Sequence, residues 1–173
     1  MRTSAEVVWY FAYGSNTDPR RFRDRVGPWR RRVRARLDGF ALKFSEVVTS
    51  EGGGGAVVVR SPGDSVAGVA FAITRGQLKK MDAEELDPGH DPEGRGCRLS
   101  SVVSSDEGPL DVLFYTVDPA GGPRPPSSGY LGHITRGLTE AGYPRSVVEA
   151  VLEIAEDAGR SQAGDARGRA LGE

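Results

Sequence analysis

Cysteine, histidine and long apolar runs are scarce in this sequence, and each shortage excludes a class of protein. Cys97 is the only cysteine, so the chain cannot form an internal disulfide bond. His90 and His133 are the only histidines, which leaves too few Cys and His side chains for a zinc cage. No apolar run approaches the roughly 20 residues that a membrane span needs, so no membrane partner is predicted.

An excess of charge of either sign is also missing. The chain has 23 Lys and Arg against 24 Asp and Glu, which disfavours a globally basic nucleic-acid-binding protein. The arginines at positions 32, 34 and 36 alternate with apolar residues, so we interpret this segment as a strand with one solvated face. No nucleic-acid partner is therefore predicted.

The length of 173 residues and the 38% apolar composition are typical of one globular domain. We expect that single domain over residues 7–158. Residues 159–173 are mostly Gly, Ala, Arg and polar side chains, which predict a flexible C-terminal tail. The residues before Val7 do not resemble a signal peptide, and with a single cysteine this favours a soluble, reduced, cytoplasmic protein.

Short β-branched and aromatic runs predict that strands dominate the first part of the chain. The predicted strands are Val7–Tyr13, Arg30–Ser45 (as one or two strands), Ala56–Val59, Val66–Ile73, Cys97–Val103 and Leu110–Val117. The turn residues Pro62–Ser65 predict that the two strands beside them form a hairpin, and Asp38-Gly39 indicates a turn or a bulge.

Helical signals are fewer and lie mainly at the end of the chain. A short helix is predicted over Arg20–Arg25, capped by Asn16 or Thr17, and another from the Thr74 capping box to about Glu85. Two more are predicted over about Ser128–Ala141 and Pro144–Ala158. The fold class is therefore α+β.

Two features could carry chemistry. The first predicted strand ends in Gly14-Ser15-Asn16 ahead of a helix, and such a turn exposes backbone N–H groups that bind anions or an oxyanion. An ordinary turn with a helix cap is the alternative, since turns of this composition are common.

The second feature is Glu85. At 100° per residue it shares the apolar face of Leu78 and Met81, while Asp82 and Glu84 turn toward solvent. Burial there would raise the pKa of the Glu85 carboxyl and suit it to general acid/base catalysis. A helix frayed before residue 85, which would leave the carboxylate solvated, is the alternative.

Other candidate groups are weaker. Ser15 with either histidine could form a hydrolase pair, but the chain has no Gly-x-Ser-x-Gly motif. His90 and His133 are separated and lack evident partners, so no metal is predicted. Cys97 is interpreted as a packing residue.

Five segments, in this order, resemble the gamma-glutamylcyclotransferase family. They are Tyr10–Asn16, Arg36–Phe40, Ser61–Val69, Leu78–Glu85 and Pro125–Tyr130. The resemblance spans roughly residues 8–155 and implies a small mixed β-barrel of about six strands flanked by helices.

The resemblance also implies an activity and a site. Enzymes of this family release 5-oxoproline from a gamma-glutamyl amide when the substrate's own α-amine attacks its γ-carbonyl, without metal or other cofactor. Glu85 matches the family's catalytic glutamate. Tyr13, Gly14, Ser15 and Asn16 match the turn that holds the glutamyl group, and Tyr130 matches a late tyrosine that contacts substrate.

Two departures from the family concern the leaving group. Leu86 stands where the family often has glycine, and the segment Asp87–Gly96 is longer than in compact members. Amino acids, polyamine-like amines and natural-product amines stay open as leaving groups. A non-catalytic binding protein and an amide hydrolase stay open as alternative functions, and the chain could be a monomer or a homodimer.

Overall fold

The computed structural model describes residues 6–47, 49–89, 91, 93–118 and 120–171. Within them the fold is α+β, as the sequence predicts. The strands are β1 (Val7–Ala12), β2 (Arg31–Ser45), β3 (Gly55–Thr74), β4 (Gly96–Ser105) and β5 (Gly108–Val117). The α-helices are α1 (Pro19–Arg25), α2 (Arg75–Glu85), α3 (Ser128–Glu140) and α4 (Arg145–Ala170), and a 3-10 turn covers Ser15–Thr17.

The strands of the described residues close into a barrel in the order β1-β3-β2-β4-β5. The barrel is mixed. Strand β1 runs parallel to β5 at Tyr10 and Leu113, and the other strand pairs of the barrel are antiparallel. The mixed barrel flanked by helices confirms the predicted architecture. It has five strands in the described residues rather than about six.

The predicted hairpin around Pro62–Ser65 is wrong, and this accounts for the difference in strand number. Both halves of β3 pair with β2 rather than with each other: Val66 lies opposite Leu37, and Arg60 lies opposite Phe40. Pro62 has no N–H for a ladder and Gly63 has a φ of 88°, so the turn-like residues form an excursion within one strand. The partner strand breaks register at the same place, between Asp38 and Phe40, which agrees with a bulge, one of the two alternatives predicted at Asp38-Gly39.

The helix ends differ from the sequence prediction in two places. Asp18, rather than Asn16 or Thr17, caps α1, and its side chain accepts from the Arg20 N–H at 3.0 Å. Helix α4 continues to Ala170, so the predicted flexible tail is helical over the described residues, where an ion pair between Arg160 and Glu156 spans one turn. The predicted capping box of α2 at Thr74 is confirmed.

Alternating side chains of β1 supply two apolar clusters that fix the helices around the barrel. Phe11 packs in the cluster that holds α3 and α4. Tyr10 packs in the other cluster, where the ring of Phe22 from α1 stacks on Phe71 with centroids 4.1 Å apart. Helices α1 and α3 are thereby held next to the chain that leaves β1. Of the described helices, none combines the length and the apolar character required to cross a membrane.

Candidate active site

The turn that follows β1 exposes a group of backbone donors. The N–H groups of Thr17 and Asp18 close the turn onto the carbonyls of Gly14 and Ser15, at 3.0 and 3.2 Å. In the part of the chain that the structure describes, the N–H groups of Gly14, Ser15 and Asn16 donate to no protein acceptor. Three neighbouring amides without acceptors can bind a carboxylate or a developing oxyanion.

The Asn16 side chain holds the turn from both of its polar atoms. It is buried, its Oδ1 accepts from Arg25 Nη1 at 2.9 Å, and its Nδ2 donates to the Tyr10 hydroxyl at 3.2 Å. The protein thus uses the amide oxygen and one of the two amide protons of this side chain. The backbone N–H of Asn16, which donates to no described acceptor, adds a further donor to the turn.

Glu85 lies at the last residue of α2, which is not frayed before it, since the Leu86 N–H still donates to the Asp82 carbonyl at 3.0 Å. Its side chain is 32% exposed, and its carboxylate is 3.7 Å from Arg25 Nη2. Burial raises the pKa of the Glu85 carboxyl and outweighs the nearby positive charge of Arg25, while the charge of Glu84 adds to the rise. This carboxylate is suited to accept and return a proton.

The helix phase predicts that both acidic neighbours of Glu85 face solvent, and for Asp82 this prediction is wrong. Glu84 is exposed and accepts from Arg25 Nη2 at 3.1 Å. Asp82 is instead half-buried, and accepts from the Tyr115 hydroxyl at 2.6 Å and from Arg98 at 2.5 Å. Asp82 therefore anchors α2 to the barrel through β4 and β5.

Three buried tyrosines surround this region. They differ in whether the hydroxyl proton is already donated to another residue of the protein. Tyr13 donates its hydroxyl proton to the Tyr115 carbonyl at 2.5 Å, so its side chain is committed to the core. The Tyr130 hydroxyl accepts from the Ala56 N–H at 3.1 Å, and the Tyr10 hydroxyl accepts from Asn16. Neither of these two donates its own proton to another described residue.

The environment keeps all three phenols neutral. Burial is the main cause that raises the pKa of Tyr10, Tyr13 and Tyr130, and the negative charge of Glu85 raises each further. A neutral phenol at physiological pH donates a hydrogen bond but does not act as a base. Tyr130 and Tyr10 can therefore orient a substrate.

Gly14 lies directly against Tyr130. A Cβ at position 14 would be 3.2 Å from the Tyr130 hydroxyl oxygen, so the glycine lets that hydroxyl approach the turn closely. Gly14 and Tyr130, which the resemblance matches to substrate-binding positions, are thus neighbours in space although they are far apart in sequence.

A charged cluster on the other side of the turn corrects the view that His133 lacks partners. His133 Nδ1 lies 2.8 Å from Asp18 Oδ2, and its Nε2 lies 3.5 Å from Arg21 Nη1. Arg21 donates to the Ser15 hydroxyl at 3.1 Å and forms an ion pair with Glu51. Arg21 therefore stands between Ser15 and His133, which do not form a nucleophile–base pair.

The other weak candidates add no site. The described residues contain no group of His, Cys, Asp and Glu that could hold a metal ion. Cys97 is partly buried and its Sγ lies 3.7 Å from the Thr116 carbonyl, in agreement with a packing role. His90 lies outside the described residues.

Sequence reasoning missed three charged residues that surround the turn, Arg21, Arg25 and Glu51. It included Tyr10 in a matching segment but gave it no role at the site. One signal was present: Arg21 and Arg25 are four residues apart on a helix that directly follows the turn, so both side chains project from the same face. Glu51 had no such signal, because it lies in a glycine-rich loop.

Comparisons with known proteins find relatives of the same kind by sequence and by structure. Residues 10–132 match the profile of a family described as gamma-glutamyl cyclotransferase, AIG2-like. The chain is 31% identical over 157 residues to the gamma-glutamylcyclotransferase of Homo sapiens. The aligned region covers 86% of this chain and 79% of that protein. Two solved structures are similar, each over 84% of this chain and 86% of the other. One is named gamma-glutamyl cyclotransferase (TM-score 0.71, 30% identity), and one is a human protein described as uncharacterised (TM-score 0.72, 29% identity).

Proposed function

The chain belongs to the gamma-glutamyl cyclotransferase, AIG2-like family, and we propose that it releases 5-oxoproline and a free amine or amino acid from a gamma-glutamyl amide. The family and its relatives support a gamma-glutamylcyclotransferase-like activity. The observation that carries the specific reaction is the Glu85 carboxylate, which is half-buried, has a raised pKa and accepts no hydrogen bond from another described residue.

The proposed reaction begins with a proton transfer. Glu85 takes a proton from the α-ammonium of the substrate, and the freed amine attacks the γ-carbonyl of the same molecule. A new C–N bond closes the five-membered ring, Glu85 returns the proton to the departing nitrogen, and the original amide bond breaks. The ring nitrogen then loses its second proton, which the departing amine takes up, so the products are 5-oxoproline and an ammonium. No water and no cofactor enter the balance, because both reacting groups belong to one molecule held in attack geometry.

The turn and the tyrosines would supply binding and charge stabilisation. The acceptor-free N–H groups of Gly14, Ser15 and Asn16 are suited to hold the α-carboxylate or the oxyanion that forms on the γ-carbonyl. The Tyr130 hydroxyl, which has a proton to donate, is suited to orient the glutamyl group. The Tyr13 side chain would instead support the turn from the core.

A product assay tests this function. A panel of gamma-glutamyl amides with amino-acid, polyamine-like and natural-product leaving groups is incubated with the protein, and 5-oxoproline, glutamate and amine are quantified. We expect 5-oxoproline and amine in equal amounts from at least one member. Glutamate as the product would indicate an amide hydrolase, and binding without any product would indicate a non-catalytic protein.

The Tyr130→Phe variant should lose about fivefold in kcat/KM, because it removes one orienting hydrogen bond of about 1 kcal/mol but no proton transfer. Tyr143→Phe is the matched control. The Tyr143 hydroxyl lies 2.8 Å from the Ala35 carbonyl and 2.7 Å from that of Gly68, so its loss should affect stability rather than turnover. A loss in Tyr130→Phe as large as that in a Glu85 variant would contradict the orienting role.

The other sequence predictions do not depend on this reaction. The domain boundary at residue 158 and the cytoplasmic location stay predictions.

A further inference from the structure

Arg25, the last residue of α1, joins the turn to the end of α2. Its Nη1 donates to Asn16 Oδ1 at 2.9 Å, and its Nη2 donates to Glu84 Oε2 at 3.1 Å. The same Nη2 lies 3.7 Å from Glu85 Oε1, which is beyond hydrogen-bond distance. The charge of Arg25 therefore reaches Glu85, while its hydrogen bonds go to two other residues.

Six ionisable groups from the elements around Glu85 influence its carboxyl. They are Arg21 and Arg25 of α1, Glu84 of α2, Tyr10 of β1, Tyr13 after β1 and Tyr130 of α3. The tyrosines are neutral, and the charge of Arg21, which is paired with Glu51, has a smaller effect than those of Arg25 and Glu84. Arg25 and Glu84 are therefore the opposed charges that act on Glu85 most directly.

We propose that Arg25 and Glu84 are a positioning pair that controls how readily Glu85 takes up a proton: Arg25 by its charge, and Glu84 by holding the guanidinium off the Glu85 carboxylate. This inference rests on the proposed function, in which Glu85 is the general base. It gives adjacent glutamates different roles, one in proton transfer and one in placing a cation.

The physical reason is that a base needs both an accessible lone pair and a suitable proton affinity. A guanidinium bonded directly to a carboxylate occupies its oxygens and strongly favours the ionised form. By accepting the hydrogen bond of Arg25, Glu84 keeps the oxygens of Glu85 open to a substrate ammonium. The charge of Arg25 at 3.7 Å still moderates the effect of burial.

The test compares the acidic limb of the kcat/KM profile in four variants, because that limb reports the base of the free enzyme. Arg25→Gln should move the limb to higher pH by about one unit, since it removes the nearby cation. Glu84→Gln should move it to lower pH by a smaller amount, because it removes an anion and frees Arg25 to bond Glu85. Arg25→Lys should restore most of the wild-type limb, and Arg20→Gln, an exposed arginine of the same helix, should leave it in place.

A titration of the resting protein separates failure of this inference from failure of the proposed function. The carboxyl carbon of Glu85 is followed by ¹³C NMR in glutamate-labelled protein, and its resonance is identified by its loss in Glu85→Gln. If no gamma-glutamyl amide yields 5-oxoproline, the proposed function fails while the titration still decides the roles of Arg25 and Glu84.

Opposite shifts in Arg25→Gln and Glu84→Gln support the positioning pair. Lower turnover in Arg25→Gln with an unmoved limb and an unmoved Glu85 titration would mean that Arg25 only supports the turn through Asn16, and would overturn the inference. The inference would also be overturned if the acidic limb moved as far in Arg25→Lys as in Arg25→Gln. The positive charge at position 25 would then not be the cause of the shift.

Discussion

The Glu85→Gln variant is expected to lose about 10²- to 10⁴-fold in 5-oxoproline formation, the range typical of removing a general acid/base. Glutamine keeps the shape and polarity of the side chain but cannot take a proton from the α-ammonium. The amine of the substrate then stays protonated and cannot attack the γ-carbonyl. The measurement is turnover of a gamma-glutamyl amide at neutral pH, with the product quantified as 5-oxoproline.

The same substitution should change stability in a direction that follows from the raised pKa of Glu85. Its usual value is 4.5, and burial raises it in the folded state. Between the usual and the raised value the folded protein binds more protons than the unfolded chain, so stability is fullest at low pH and declines as the pH rises through this window. Glu85→Gln removes the decline. Its free energy of unfolding should therefore equal or exceed that of the wild type at neutral pH, and the difference should shrink toward acidic pH.

Glu84→Gln is the matched control, with the same chemical change at the adjacent residue. It should lose far less turnover than Glu85→Gln, because its carboxylate places Arg25 and takes no part in the proton transfer. An active Glu85→Gln together with an inactive Glu84→Gln would move the base by one residue and show that the helix phase was misread.

Local periodicity placed Glu85 on the apolar face of α2, but it did not separate Glu85 from Asp82, whose side chain is also half-buried. Leu78 and Met81 are buried in the structure, and Glu85 follows them at helical spacing with its side chain half-buried. The helix end was less certain from sequence, because Leu86-Asp87-Pro88 could equally follow a helix that frays earlier. The Leu86 N–H, bonded to the Asp82 carbonyl, shows where the last turn closes.

The hairpin error shows what local signals leave out. Pro62 and Gly63 predict a break in the ladder, and the ladder does break there. Which strand the two halves pair with is a non-local choice, and the facing bulge at Gly39 lets one partner, β2, accommodate both. The turn residues therefore predicted where β3 is irregular. They did not predict that the irregularity lies within one strand rather than between two.

The surroundings of the turn were mostly beyond sequence reasoning for the same reason. Arg25 and Glu84 are 59 positions apart, and His133 and Asp18 are 115 apart. Contacts of such separation depend on how α1 and α3 pack beside the barrel. The resemblance supplied Tyr130 but not its contact with Gly14, and it supplied Tyr13 without showing that its hydroxyl is used inside the core.

At Gly137, helix α3 packs directly against the backbone of the turn. A Cβ built at this position would lie 2.5 Å from the Asp18 nitrogen and closer still to the Thr17 carbonyl group. Those atoms are backbone, which cannot move aside as the end of a flexible side chain can. An alanine at 137 must therefore displace either α3 or the turn that exposes the amides.

The Gly137→Ala variant is accordingly expected to lose about 2 kcal/mol in the free energy of unfolding and about 10²-fold in kcat/KM, because a shift of about 1 Å in a positioning element has effects of this size. Gly132→Ala is the control in the same helix, where the added methyl would meet only Arg136 Nη2 at 3.8 Å. It should keep its turnover and gain up to about 1 kcal/mol from the higher helix propensity of alanine. Urea denaturation and steady-state kinetics measure both effects. A Gly137→Ala variant as stable and active as Gly132→Ala would contradict the close packing of α3 on the turn, and with it the view that this helix holds the proposed oxyanion-binding amides in place.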